Sequence, residues 1–168
     1  MSGLNTVFHP VLESECDVVV NRTENIVEPS RMLVGADRDV DCTHTITRDG
    51  VKYAGSHLLV DMWGGRRLDD LVFIEATLRR CAEACGATLL HIQLHHFAEN
   101  NGVTGVAMLS ESHITLHTWP EFDYAAFDIF MCGLCEPRLA VDVLCEALMP
   151  KRTDVSEHLR GRVGAEPS

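Results

Sequence analysis

Four consecutive segments of this chain carry a strand signature, and the links between them are too short to hold a crossover helix. Thr88 to Phe97 sets Leu90, Ile92 and Leu94 against His91, Gln93 and His95, the period-two alternation of a half-buried strand. Val103 to Leu109 and His113 to Trp119 follow, joined by Ser110-Glu111-Ser112. A Pro120-Glu-Phe-Asp123 turn then leads into a further alternating strand, Tyr124 to Met131. Parallel pairing needs a connection of a dozen or more residues, so strands linked this closely pair antiparallel.

Upstream, His57-Leu-Leu-Val-Asp-Met-Trp63 is a short apolar run closed by Gly64-Gly65, another strand ending in a turn. Leu68 to Cys85 then spaces Leu71, Ile74, Leu78, Cys81 and Cys85 three and four apart, as an amphipathic helix does. Asp69 and Asp70 suit its positive first turn, and Gly86 ends it. Glu136 to Met149 reads as a second helix that closes the domain, with Pro137 near its first turn and Ala140, Val143, Leu144, Ala147 and Leu148 facing inward. Each helix must bury its apolar stripe against the sheet. The expected class is α+β, a two-layer sandwich of an antiparallel sheet with helices on one face. The other sheet face then needs a cover of its own, which a second copy of the chain would supply.

The 168 residues fit one domain. A net charge of −11 repels phosphate backbones and argues against nucleic acid or an anionic membrane as partner. No apolar run approaches the roughly 20 residues of a membrane-spanning helix, and Met1-Ser-Gly-Leu-Asn-Thr6 lacks the basic-then-apolar pattern of a signal peptide. Seven cysteines without a framework spacing suit free thiols in a reducing cytoplasm, which is the expected location and leaves the sequon Asn21-Arg22-Thr23 idle. Residues 1–50 stand apart from a domain at 51–168: Glu13, Glu15, Asp17, Glu24, Glu28, Asp37, Asp39 and Asp41 sit there with poor apolar periodicity. They read as an acidic N-terminal extension or edge decoration. Asp37-Arg-Asp-Val-Asp41 begins like a calcium loop but has Cys42 where the loop needs glycine and Arg48 where it needs glutamate.

Chemistry-bearing side chains crowd into Leu109-Ser-Glu-Ser-His-Ile-Thr-Leu-His-Thr-Trp-Pro-Glu121. Ser112, His117 and Asp128 are the residue types of a nucleophilic triad, but no G-x-S-x-G elbow surrounds the serine, which disfavours a hydrolase. His91 and His95 have the i, i+4 spacing of a zinc pair on a helix, yet they lie on a strand with no glutamate after His91, so no metal is expected. Cys132-Gly-Leu-Cys135 is a lone pair, with neither a second pair for zinc nor a βαβ unit for redox work. A single functional thiol at Cys132, where a strand ends, is the better reading, and Cys81 and Cys85 on the helix stripe read as core. Gly64-Gly65-Arg66-Arg67 is too short for a phosphate loop. What remains is a serine at a tight turn, directly after a carboxylate residue.

That segment, followed by Tyr124-Ala-Ala-Phe-Asp-Ile-Phe-Met-Cys-Gly133, closely resembles the bacterial and archaeal S-adenosylmethionine decarboxylase proenzymes. The likeness extends upstream through Gly102-Val-Thr-Gly105, Gly86-Ala-Thr-Leu-Leu90, and Gly55-Ser-His-Leu-Leu-Val-Asp61 with Leu68-Asp-Asp70, covering about residues 54 to 150. The resemblance implies self-cleavage at Glu111–Ser112 into a β chain, 1–111, and an α chain, 112–168, with Ser112 converted to a pyruvoyl group. It implies that Thr104 and His117 serve processing, the hydroxyl polarising the carbonyl and the imidazole moving the proton. Substrate would be held as a Schiff base on the pyruvoyl, and Cys132 would protonate the α-carbon, with Cys135 as the fallback.

The same resemblance makes Phe97 and Trp119 adenine-stacking rings and Glu121 the carboxylate that reaches the ribose. From the residues alone both also read as core aromatics, although Trp119, beside Pro120 in a turn, is harder to bury fully. It also implies a homodimer of αβ units whose sheets pack together as four layers, αββα, and a product, decarboxylated S-adenosylmethionine, destined for spermidine synthesis. Two departures stand out: Phe97-Ala-Glu-Asn-Asn-Gly102 is one residue longer than the family's usual loop and lacks its proline, and Trp63-Gly64-Gly65 replaces tyrosine-glycine-cysteine. The scaffold also includes pyruvoyl decarboxylases of arginine or ornithine, which need an acidic pocket end instead of stacked rings. Trp119 and Glu121 together favour S-adenosylmethionine. A non-catalytic regulatory paralogue is the remaining alternative, and retention of all three reactive groups disfavours it.

Overall fold

The computed structural model describes residues 17–22 and 44–164. Its elements are β1 (Asp17–Arg22), β2 (Ile46–Arg48), β3 (Val51–Trp63), α1 (Leu71–Ala84), β4 (Leu89–His96), β5 (Val103–Leu109), β6 (Ser112–Trp119), β7 (Tyr124–Met131), α2 (Arg138–Leu148) and β8 (Arg152–Arg162). One sheet runs in the order β1-β8-β3-β7-β6-β5-β4, and β2 pairs with the start of β3. Every pairing is antiparallel except that of β1 with β8. The α+β class and the antiparallel group β4 to β7 are as the alternation implied.

The sheet holds further strands that the alternation did not mark. The second helix does not close the domain, because β8 follows it and pairs with β3 over ten residues, Trp63↔Arg152 through Tyr53↔Arg162. Its sequence, RTDVSEHLRGR, hides a strand among charges. Only Thr153 and Val155 are buried, while Arg152 pairs with Asp154 and Glu157 accepts from Arg138 of α2 at 2.7 Å. The N-terminal region also contributes, with β1 forming the sheet edge and β2 a short hairpin with β3. The calcium-like run Asp37–Asp41 lies outside the described residues.

One face of the sheet carries the core. Leu58, Val60 and Met62 of β3, Ile114 and Leu116 of β6, and Phe127, Ile129 and Met131 of β7 meet Ile74, Leu78 and Cys81 of α1 and Ala140, Leu144 and Leu148 of α2. Burying each large apolar side chain contributes about 1.5–3 kcal/mol. On α2 the stripe is rotated from the expected one: Val141 is buried, whereas Val143 and Ala147 are half-buried. Burial pushes the Cys81 thiol up to about 12 and the Cys85 thiol up to about 11, so both remain protonated core residues. Asp70 accepts the Phe73 N–H at 3.0 Å as the N-cap of α1. That bond, then Arg67, holds its carboxyl below the usual range. Gly105 allows β4 and β5 to close up, since a Cβ there would stand 2.3 Å from Leu94 Cδ2 and 2.6 Å from the Gln93 carbonyl.

Among the described residues, no helix lies over the opposite face. It presents the residues that alternate with the core: His57, Asp61 and Trp63 on β3, Tyr124, Asp128 and Phe130 on β7, and His113, Thr115, His117 and Trp119 on β6. Rings pair across the strands there. His113 stacks on Phe130 at 5.7 Å, and Trp119 and Trp63 flank Tyr124 at 5.2 and 5.6 Å.

Candidate active site

The β5–β6 hairpin has a two-residue turn, because Leu109 pairs directly with Ser112. Tight hairpins of this length favour glycine or asparagine where φ is positive. Here that position is Glu111, with φ +62°. A side-chain-bearing residue held in such a conformation costs on the order of 1–3 kcal/mol, and the peptide that follows it is the Glu111–Ser112 bond. The turn is pinned from outside by the Ser110 N–H, which donates to the Thr88 carbonyl at 2.9 Å.

Ser112 is the first residue of β6 and faces the helix side, only 8% exposed. Cys132 follows the last residue of β7, and its N–H donates to Ser112 Oγ at 3.3 Å. The Ser112 hydroxyl donates to Cys132 Sγ at 3.8 Å, and that thiol in turn donates to the Glu111 carbonyl at 3.5 Å. One thiol therefore touches both the hydroxyl and the carbonyl of a strained peptide. The Glu111 carboxylate lies 3.9 Å from the same sulfur and pairs with Nδ1 of His44. Cys135 points elsewhere: its thiol donates to the Gly86 carbonyl at 3.8 Å, and burial, then the neighbouring Cys132, pushes it up. The expected thiol sits beside Ser112, and the fallback does not.

Other expected residues gather at the far end of β6. Five positions along a strand separate Ser112 from His117, roughly 17 Å, and an odd separation sends them to opposite faces of the sheet. His117 Nδ1 lies 2.9 Å from Thr104 Oγ1, across the β5–β6 pairing. Trp119 is 6.0 Å from the His117 ring. Phe97 is exposed, edge-on to His95 at 4.8 Å, at the head of a loop closed by its own N–H on the Gly102 carbonyl at 2.8 Å. Asn100 in that loop donates to Glu121 at 3.2 Å. Thr104 and His117 thus stand together, as do the loops carrying Phe97 and Glu121, but none of them reaches Ser112 within one chain. Asp128 accepts from Thr115 at 3.2 Å on the open face, so Ser112, His117 and Asp128 form no triad.

Sequence reasoning missed His44 and Asn100. His44 lies in the acidic region just ahead of a three-residue strand, where no periodicity marks it. Asn100 lies in the loop already noted for its extra length. Among the described residues no group of three or more His, Cys, Asp or Glu side chains is arranged to hold a metal ion.

The site thus comprises an α+β domain with a buried serine behind a peptide in a left-handed turn, and one thiol in contact with both. Comparison with known proteins shows the family to which such a domain belongs. Residues 56–161 match the family model described as S-adenosylmethionine decarboxylase. A protein of Thermomicrobium roseum named S-adenosylmethionine decarboxylase proenzyme is 41% identical over 114 residues, covering 67% of this chain and 98% of that protein. A protein of the same name from Methanococcus maripaludis is 44% identical over 114 residues, covering 66% and 93%. The crystal structure of the adenosylmethionine decarboxylase from Aquifex aeolicus superposes with a TM-score of 0.59 at 33% identity, covering 68% of this chain and 96% of that one. The chain belongs to the S-adenosylmethionine decarboxylase family, an enzyme family of carboxy-lyases. No helix among the described residues is long and apolar enough to cross a membrane.

Proposed function

We propose that this chain is a proenzyme that cleaves itself between Glu111 and Ser112 and then decarboxylates S-adenosylmethionine, supplying the aminopropyl donor for spermidine synthesis. The observation that carries the reading is the contact of one thiol with both the Ser112 hydroxyl and the Glu111 carbonyl, behind a left-handed Glu111. In the processing step, Ser112 Oγ bonds to the Glu111 carbonyl carbon, the C–N bond breaks, and the nitrogen takes the hydroxyl proton, leaving an ester. Loss of the Ser112 Cα proton then expels the Glu111 carboxylate. The resulting enamine tautomerises to an imine, water adds and ammonia leaves. Strain in the turn favours the first step, and a donor on the carbonyl stabilises its oxyanion.

The residues fit a pyruvoyl group at position 112. Ser112 is buried, and the Cys132 N–H and thiol converge on it. The group would supply an electron sink for the electrons released as CO₂ leaves. Cys132 would hold the proton that the α-carbon then needs.

Thr104, His117, Trp119, Glu121 and Phe97 complete the site only across a two-fold dimer. The sheet face that no described helix covers, with its aromatic rings, supports packing against a second copy into four layers, αββα. The partner subunit's His117 and Thr104 would then serve processing at the Glu111–Ser112 turn, reaching the peptide and the Ser112 Cα from the face opposite the hydroxyl. Its aromatic end would receive the adenosyl group, with Glu121 on the ribose hydroxyls. Release of ¹⁴CO₂ from carboxyl-labelled S-adenosylmethionine, arginine and ornithine tests the substrate. Turnover of S-adenosylmethionine alone is expected, and preference for either basic amino acid overturns the assignment.

A further inference from the structure

The β2–β3 hairpin delivers a side chain to the cleavage turn from outside the region that matches the family. The match begins at residue 56, whereas β2 spans Ile46–Arg48 and His44 lies two residues before it. Ile46 is buried and pairs with Tyr53 of β3, which fixes where the chain ahead of it runs. From that anchor, Nδ1 of His44 contacts Oε2 of Glu111. The same carboxylate lies 3.9 Å from the Cys132 sulfur, and that sulfur lies 3.5 Å from the Glu111 carbonyl oxygen.

This arrangement matters because the Glu111 carbonyl must take negative charge when the serine attacks. A carboxylate on the same residue opposes that charge, and a donor held on the carboxylate reduces the opposition. The contact also ties the side chain of the one turn residue with positive φ, so it restrains the turn in its strained form. We propose that His44 is a positioning residue for self-cleavage, acting through the Glu111 carboxylate. The proposal rests on the self-processing reading above. Cleavage would leave His44 and Glu111 in the same β chain.

The test follows cleavage of the freshly translated full-length chain by denaturing gel and intact mass, with thermal melting of each variant alongside. In His44→Ala cleavage is expected to slow about tenfold, the scale of one hydrogen bond to a charged group. His44→Asn keeps an N–H donor near the Nδ1 position and is expected to recover most of the rate. Added imidazole should accelerate His44→Ala saturably, because the site is open, with the His44 side chain 65% exposed. Wild-type speed in His44→Ala overturns the proposal. So does a slow variant with a lowered melting temperature that neither asparagine nor imidazole rescues, which would mark His44 as a fold contact only. A wild-type chain that never cleaves overturns the self-processing reading itself and this inference with it.

Discussion

Replacing Cys132 with alanine separates two tasks that its thiol is placed to perform. In the uncleaved chain the thiol donates to the Glu111 carbonyl at 3.5 Å and receives the Ser112 hydroxyl at 3.8 Å. A thiol is a weak donor, so its loss removes about one weak hydrogen bond, and cleavage should slow by about tenfold or less. Decarboxylation loses its general acid, a loss of about a hundred- to ten-thousandfold. The two effects therefore differ by at least about tenfold on the same variant. The assay counts cleaved chains by intact mass and divides the rate of CO₂ release by that number. An unchanged rate per cleaved chain would refute the proton-donor role. Cleavage slowed by as large a factor as turnover per cleaved chain would refute the separation of tasks.

Three further outcomes are expected. Trp119→Ala should raise the KM for S-adenosylmethionine about tenfold or more if the ring stacks on adenine, at on the order of 1–3 kcal/mol per stacked base. An unchanged KM would leave it as a packing partner of Tyr124. For His57, burial lowers the imidazole below its ordinary value against the smaller opposing pull of Asp128, and Arg160, His113 and His158 lower it further. Arg160 donates to Nδ1 at 3.0 Å, so the neutral ring is the one that fits. The unfolded chain then binds the proton more readily. This contribution to stability is complete above the unfolded value of about 6.5 and is lost as pH falls toward the lower folded value. Denaturant melts between pH 7.5 and about 5 should show a steeper decline for wild type than for His57→Gln. Gly105→Ala should destabilise by about 1–3 kcal/mol or more, because the added methyl meets both Leu94 and the Gln93 backbone.

Much of the fold was legible because β4 to β7 alternate cleanly and sit close together. The bounds of β5 and β7 fall where the alternation begins and ends. β8 was not legible, since its inward face is reduced to Thr153 and Val155 and Glu157 meets Arg138 and Ser56 only once α2 and β3 are in place. At the site, Ser112 and Cys132 were legible from the segment that resembles the family, and the structure puts their side chains in contact. The separation of His117 from Ser112 was written in the odd spacing of a strand, whereas a motif read along the chain shows only that the residues are near in number. His44 had no such marker, because its contact with Glu111 spans most of the domain in sequence.

Intact mass under denaturing conditions tests the central claim most directly. The account predicts two chains from the 168 residues, 1–111 and 112–168, the second with a blocked N-terminus that reductive amination modifies. It also predicts a single uncleaved chain for Ser112→Ala. A wild-type chain that stays at 18.6 kDa and inert to reductive amination would contradict it.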